Sequence, residues 1–427
     1  MTAAAEMAFP LTALLTFAGV PLYAWRRRGR EYALFGLVIL LVSLPGALVT
    51  HARLVAWAPL AVAPWLDSLF LCGMVAAAAH LVALVTPRLH AAPFRIGVSI
   101  PGMTFIAAGA LAGVWLLALL PLRALLWTLG WQSALDALRG LDAVPMLVAA
   151  ASIITSSRPR RELVRVPIAQ SGPPRVTRLP VERYRRRPPH PLAERPLRLV
   201  QITDTHIGPW QPIHRLQRQI EELVAHDPDL VLLTGDFLTM EGMGSRGALT
   251  QALAPLCRIA PRCVAIFGNH DHESPEEVSS ALAATGIRLL IDEEHLVDTP
   301  VGPVQLVGAD YVGKGREQHL RALLTRFPRR ADHLRLLLLH DPRGFQHVPL
   351  GDVDLTLSGH THGGQLGLVS FGIDWTVLKR TQWPDHGLFG HGANRLYVHR
   401  GSGFYGFPLR VGVPGEVSVL EVVRGSA

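Results

Sequence analysis

Five short segments in the C-terminal half constrain this chain more than anything else in it. They are Asp204-Thr205-His206, Gly235-Asp236, Gly268-Asn269-His270-Asp271, His340-Asp341 and Gly359-His360-Thr361-His362. Each follows a short apolar run: LRLVQIT, DLVLLT, CVAIF, LRLLLL and VDLTLS. Such runs are the pattern of strands covered on both faces. Open α/β sheets bind ligands in the crevice beyond the carboxyl ends of their strands. Neighbouring strands of this kind bring the Asp, Asn and His side chains of all five segments together. One bridging carboxylate with nitrogen and oxygen ligands on either side is what two adjacent divalent cations need. The pattern predicts a two-metal hydrolase.

The order and spacing of the segments resemble the calcineurin-like metallophosphoesterase superfamily, whose motif series is D-x-H, G-D, G-N-H-[DE], H and G-H-x-H. The resemblance covers residues 196–427, with every motif present in order. It implies that Asp204, His206 and His362 hold a first metal ion. Asn269, His340 and His360 would hold a second, and Asp236 would bridge the two. It leaves His270 off the metals, close to the phosphate, with Asp271 placed to orient it. The implied cofactors are two divalent ions, Mn, Zn or Fe. The implied fold class is α/β, a four-layer α/β/β/α sandwich, here preceded by an all-α polytopic membrane domain. One departure stands out: many relatives read G-D-x-x-D, whereas this chain reads Gly235-Asp236-Phe237-Leu238-Thr239. The run from Ser358 to Gln365 and the Gly-rich aromatic tail from Arg400 to Arg410 look like the membrane-attached bacterial branch. Some enzymes of that branch cleave the pyrophosphate of a UDP-diacylglucosamine lipid precursor.

The chemistry can be argued from the residues alone. A phosphoester repels hydroxide, and water is a poor nucleophile at neutral pH. Two cations about 3.5–4 Å apart neutralise phosphate oxygens and acidify water between them. The leaving group departs more easily with a proton from a nearby acid, and an imidazole such as His270 titrates in the right range. No Cys or Ser sits in a nucleophile setting. His214, His226, His295, His319 and His386 read as incidental, and His272 as a candidate for the pocket wall. Pro209, Trp210 and the aromatic tail are candidates either for an apolar rim around acyl chains or for the core.

Helical periodicity is expected over 213–225, 246–257 and 315–327, with a helix starting at Ser274-Pro275. Short strands are expected at 287–291, 295–299 and 304–308. At roughly 230 residues the C-terminal part is long enough for one large core.

Residues 1–157 are a different object, rich in long apolar runs. Candidate spans at 7–25, 33–50, 66–86 and 100–120 each approach the roughly 20 residues needed to cross a bilayer. A fifth at 141–157 is short, and 122–139, with Trp127 and Trp131, reads as interfacial. The first run is no conventional secretory signal, because its arginines (Arg26 to Arg28 and Arg30) follow the apolar stretch. Residues 158–195 read as an Arg/Pro-rich juxtamembrane linker.

Charge locates the partners. Residues 1–157 carry nine Arg against five acids, and 158–195 eleven Arg against three, whereas 196–427 is net −4. The basicity lies beside the membrane and not on the folded domain, which argues against nucleic acid as a partner and for anionic lipid heads. Arg26 to Arg30, Arg88 and Arg95 place the end of the first span and the loop after the third inside. Five spans then leave the catalytic domain cytoplasmic, in a bacterial inner membrane; four, with 141–157 not crossing, would place it outside against the positive-inside bias. Three cysteines, Cys72, Cys257 and Cys263, form no framework and fit a reduced compartment.

These readings favour a membrane-anchored phosphoesterase acting on a phosphoester or pyrophosphate, with a lipid-linked substrate favoured. The alternatives are a membrane receptor or sensor regulated by the domain, and a scaffold that has lost catalysis. Oligomeric state leaves no mark in the sequence.

Overall fold

The computed structural model describes residues 7–168, 170–184, 192, 194–381 and 383–424. The run Arg185 to Arg187 of the expected linker lies outside them. The chain divides into two compact units, Met1–Ile154 with Gly406–Val411, and Thr155–Tyr405 with Gly412–Ala427.

The first unit contains five helices long and apolar enough to cross a membrane: Ala8–Arg28, Arg30–Trp57, Ala63–Ala83, Ala92–Thr128 and Gln132–Ser157. The fifth is 26 residues, longer than the expected 141–157, because the helical turns at 132–140 run into it. The expected interfacial segment at 122–139 is divided differently. Its first part continues the fourth helix to Thr128, and the remainder opens the fifth. Small residues let these helices touch: a Cβ on Gly46 would lie 2.1 Å from the carbonyl oxygen of Gly109. The interior charges are matched. His51 Nε2 meets Asp67 Oδ1 at 2.7 Å, and Arg53 and Arg123 both bind the buried Asp142 carboxylate.

The second unit is a sandwich of two seven-stranded sheets. Its strands are β1 (Arg160–Ile168), β2 (Thr177–Arg178), β3 (Glu182–Tyr184), β4 (Leu197–Ile202), β5 (Leu230–Leu233), β6 (Cys263–Ala265) and β7 (Arg288–Leu289). They continue with β8 (Glu293–Thr299), β9 (Gly302–Ala309), β10 (Leu334–Leu339), β11 (Leu355–Ser358), β12 (Gly387–His391), β13 (Asn394–Val398) and β14 (Glu416–Arg424). One sheet runs β3-β1-β14-β4-β5-β6-β7, the other β2-β12-β13-β11-β10-β9-β8. The β4-β5-β6 and β9-β10-β11-β13 stretches are parallel, with antiparallel pairs at β14-β4, β12-β13 and β8-β9.

The period-2 pattern explains the layers. Along β10, Leu334, Leu336 and Leu338 face the other sheet, where they meet Leu199, Leu230, Leu232 and Val264. The alternate residues Leu337 and Leu339 pack outward on Leu320, Leu323 and Leu324 of the helix Arg316–Arg326. The first sheet is covered on its outer side by the helix Ile213–Val224, whose Leu216, Ile220 and Leu223 are buried. The result is a four-layer α/β/β/α arrangement.

The reading of 158–195 as a linker is corrected by β1. This strand pairs parallel with β14 from Arg160↔Glu416 to Ile168↔Arg424, and Val164, Val166 and Ile168 enter the inter-sheet core. Its alternation was masked by the interleaved charges, which are paired with distant residues of the fold. Arg161 pairs with Glu222 at 2.6 Å, Glu162 with Arg400 at 2.9 Å, and Arg165 with Glu421 at 3.6 Å. A fixed strand predicts a sharp contrast. Val164→Asp buries an unpaired charge and should cost several kcal/mol of catalytic-unit stability, whereas Arg161→Ala, at an exposed pair, should cost about 0.5 kcal/mol. Thermal unfolding of the two variants measures the difference.

Candidate metal centre

The strand ends build the site. Asp204 and His206 follow β4, Asp236 follows β5, Asn269 and His270 follow β6, His340 follows β10, and His360 and His362 follow β11. Two adjacent parallel runs, one in each sheet, therefore deliver their loops to one place.

Seven of the nine expected site residues converge into two groups. Asp204, His206 and His362 offer ligand atoms all within 4.8 Å of one another, and so do Asp236, His340 and His360. Asn269 joins the second group, its Oδ1 lying 2.8 Å from His360 Nδ1. Asp236 stands between the groups, with its Oδ2 3.7 Å from His206 Nε2 and 3.2 Å from His340 Nε2. Both of these Nε2 atoms are buried with no hydrogen-bond partner among the described residues. Orphaned imidazole nitrogens in a closed interior are costly unless something else satisfies them. Here they face a carboxylate, and a cation between ring and carboxylate satisfies all three groups. The donor set fits divalent metal.

The supporting contacts fix which ring nitrogen looks inward. The far nitrogen of His340, Nδ1, sits 2.6 Å from the Thr234 carbonyl, and that of His206 3.4 Å from the Leu238 carbonyl, the arrangement that orients metal-ligating histidines. Burial pulls the His206 imidazole down to about 3 and that of His360 to about 4, so both present a free lone pair, whereas at His340 burial is outweighed by the adjacent Asp236 carboxylate, which draws the ring up to about 10. Burial alone would raise the Asp236 carboxyl, but the surrounding His340, His206 and His270 rings outweigh it and hold it well below the usual carboxylate range.

Backbone strain concentrates at the same atoms. Asp204 (φ 49), His206 (φ 40), Asp236 (φ 60), His360 (φ 71) and His362 (φ 52) all adopt the left-handed region that side chains rarely enter. Each costs on the order of 1–3 kcal/mol and persists only where its surroundings over-determine it. Glycine at 359 is a matter of space: a Cβ there would lie 2.1 Å from Asp204 Oδ2.

The pairing of His270 with Asp271 is corrected. Asp271 is 1% exposed and turned under the loops, where its Oδ2 accepts from the backbone N–H of Asp236 and Gly268, each at 2.7 Å, and its Oδ1 from Phe237 at 3.0 Å. It braces the loops that carry Asp236 and Asn269. His270 is oriented by Glu273, whose Oε1 lies 2.6 Å from its Nδ1. The signal was present in the sequence: in the turn Asp271–Glu273 a residue three positions on returns to the same side.

Three aromatic side chains surround the site; Trp383 and Tyr311 escaped the motif reading, while Tyr405 belongs to the aromatic tail expected at the rim or in the core. Tyr405 stacks on His206 with centroids 5.4 Å apart and meets His270 edge-on at 4.4 Å. Trp383 stacks on His360 at 5.6 Å, with the Arg343 guanidinium 4.0 Å above its ring. Tyr311 lies 6.2 Å from His360. Trp210 is buried against Phe404 and belongs to the core, so it forms no rim. Of the set-aside histidines, His319 pairs with Asp292, and His386 with Asp385 and Asp374. His272, the candidate for the pocket wall, binds Asp310 at 3.0 Å and packs edge-on against Phe267. Thr239, at the place of the second Asp in G-D-x-x-D, caps the short helix Met240–Met243 and donates to the Ile207 carbonyl.

Gly359→Ala should displace the Asp204 carboxylate. Purified protein carrying it should lose most of its bound metal, as measured by mass spectrometric metal analysis, while its far-ultraviolet circular dichroism stays unchanged.

The calcineurin-like phosphoesterase family matches residues 197–364, which span all five segments. Phosphodiesterase YaeI of Escherichia coli is 30% identical over 233 residues, covering 53% of this chain and 83% of that one. A zebrafish (Danio rerio) protein named transmembrane protein with metallophosphoesterase domain is 31% identical over 267 residues, covering 58% of this chain and 56% of its own. An uncharacterized metallophosphoesterase of Helicobacter pylori is 28% identical over 240 residues, covering 54% of this chain and 60% of its own. The chain thus spans little more than half the length of the last two relatives. With its motifs at one place on a four-layer sandwich, the chain belongs to the calcineurin-like phosphoesterase family.

Proposed function

We propose that this chain is a membrane-anchored phosphohydrolase that uses two divalent cations to cleave a phosphoester or pyrophosphate, with a lipid-linked substrate favoured. The observation that carries this reading is the position of Asp236 Oδ2 between two buried, orphaned imidazole nitrogens from opposite sheets. Asp204, His206 and His362 would hold one cation, Asn269, His340 and His360 the other, and Asp236 would be shared between them. When bound, the pair supplies charge neutralisation of the phosphate and an acidified water.

The protein's own groups do the rest. Asp236 is fixed by the His270 backbone N–H, 2.8 Å from its Oδ1, so the bridging carboxylate cannot swing away. Asp204 is fixed in the same way, by the His360 N–H at 3.0 Å and the Thr203 hydroxyl at 2.8 Å. His270 is partly exposed, beside the metal ligands but outside both groups. With Nδ1 on Glu273, its Nε2 faces outward to give a proton to the leaving oxygen. Burial opposes its protonation, but Glu273 and Asp236 more than compensate and raise its pKa above the ordinary imidazole value, which keeps the donor loaded.

In this reading the protein is multi-pass in a cell membrane, the inner one in bacteria, with the catalytic unit cytoplasmic. Arg26, Arg27 and Arg28 end the first helix, Arg88 lies between the third and fourth, and Arg95 falls in the first turn of the fourth. An odd number of spans puts the C-terminal unit on the same side as those arginines.

Three outcomes test this. Asp236→Asn should abolish hydrolysis of bis(p-nitrophenyl) phosphate in the presence of Mn²⁺ and lower bound metal from two ions per chain, and chelation should silence the wild type until Mn²⁺ is restored. His270→Ala should lower kcat by about 10²–10⁴-fold with metal retained, and Glu273→Gln by about 10-fold with KM unchanged. A C-terminal green fluorescent protein fusion should fluoresce in bacterial cells, whereas an alkaline phosphatase fusion should be inactive. Full metal content with no turnover of any phosphoester would favour the scaffold reading.

A further inference from the structure

The catalytic unit carries one apolar surface that its core does not use. Among the large apolar side chains exposed in residues 155–427, Ile291, Leu296 and Leu350 are scattered, but Leu368 (39%), Phe371 (75%), Ile373 (53%), Trp375 (41%) and Val377 (45%) fall within ten residues. Scattered exposed apolar residues need no explanation, whereas a concentration of them does.

This stretch is an ordered hairpin. Leu368 N–H donates to the Trp375 carbonyl at 2.9 Å and Val377 N–H to the Leu366 carbonyl at 3.0 Å, with a turn through Gly372. The side chains outside the turn are therefore held out by a hydrogen-bonded frame. Lys379 and Arg380, both exposed, follow after Leu378, and Lys379 lies 3.9 Å from the hairpin's own Asp374. Trp and Phe with adjoining basic residues are the composition of segments that rest at the lipid–water interface.

Two covalent relations say what covers the hairpin. The first is Arg160, whose Nη2 donates to the Ser370 carbonyl at 3.0 Å and whose Nη1 donates to the Val369 carbonyl at 3.4 Å. Arg160 opens β1, and the last apolar helix ends at Ser157. Three peptide units reach at most about 11 Å, so the residue that clamps the hairpin is leashed to the end of a membrane span. The second relation is on the other side. Only Gly363, Gly364 and Gln365 separate the hairpin from His362, and a Cβ on Gly364 would touch Val377 at 3.1 Å and Leu378 at 3.0 Å.

We propose that the hairpin Leu366–Val377 docks into the interfacial layer of the bilayer that the same chain spans. Phe371, Ile373 and Trp375 enter the acyl–headgroup boundary, and Lys379 and Arg380 remain among the headgroups. The docked hairpin holds the mouth of the metal centre at headgroup level, so the substrate class it selects is an amphiphilic phosphoester presented from the membrane surface. That consequence for substrate rests on the phosphoesterase reading; the docking itself does not.

The test uses full-length protein with Cys72→Ala and Cys257→Ser, leaving the buried Cys263. A nitrobenzoxadiazole label is attached through Phe371→Cys, or through Leu350→Cys as an exposed reference on the same unit. Both proteins are reconstituted into phosphatidylethanolamine/phosphatidylglycerol vesicles doped with doxyl-labelled phosphatidylcholine. The label on Phe371→Cys should be quenched at least about twofold more than that on Leu350→Cys and should emit to the blue of it, as burial in the boundary layer requires. Equal quenching at the two positions overturns the proposal. So does blue-shifted emission from Phe371→Cys that the doxyl lipid fails to quench, because protein, such as a second copy of the chain, then covers the hairpin. Hydrolysis of bis(p-nitrophenyl) phosphate by the same preparations reports the phosphoesterase reading separately.

Discussion

The carboxylate of Asp236 is the point on which the catalytic unit turns. It hangs from the end of β5 in one sheet, yet its Oδ2 reaches within 3.2 Å of His340, which hangs from β10 in the other. That approach requires the two sheets to be stacked in one fixed register. The stacking is the work of the apolar side chains between them, Leu199, Leu230 and Leu232 against Leu336, Leu338 and Leu355. Burial on this scale, at roughly 25 cal/mol per Å², provides the stability against which local strain can be held.

The strain is not small. Five ligand positions occupy the left-handed backbone region, and the histidine Nε2 atoms that face Asp236 have no hydrogen-bond partner among the described residues. Each feature disfavours the folded state by itself. Together they leave a preorganised cavity whose unmet polar groups share one remedy, a divalent cation. Asp271 shows how far the fold goes to keep that cavity in shape. A buried carboxylate is committed entirely to three backbone N–H groups, and it ties the Asp236 loop to the Gly268 loop.

Anchoring follows from the same economy of position. β1 begins three residues after the last apolar helix ends and is an interior strand of its sheet. Three arginines of the juxtamembrane segment are used along the strand itself, Arg161 against Glu222, Arg165 against Glu421 and Arg160 against the hairpin carbonyls.

How much of this was legible beforehand depends on the kind of information involved. Motif order, strand-end placement and the apolar helices are local properties: an uninterrupted run such as LRLLLL reads as a buried strand in any context, and an apolar run of 20 residues has few homes other than a bilayer. These the sequence determined by itself. It could not assign β1, because Arg161, Arg165 and Glu162 break the visible alternation and their partners lie as far away as Glu421 and Arg400. Nor could it separate the roles of Asp271 and Glu273, since only the turn decides which carboxylate faces His270 and which faces the amides beneath. Tyr405 and the exposed hairpin likewise acquire meaning only when residues more than a hundred positions apart are set side by side, and Trp383 only beside His360 and Arg343. Residue type and spacing fix which chemistry is possible; long-range packing decides which of the available groups perform it.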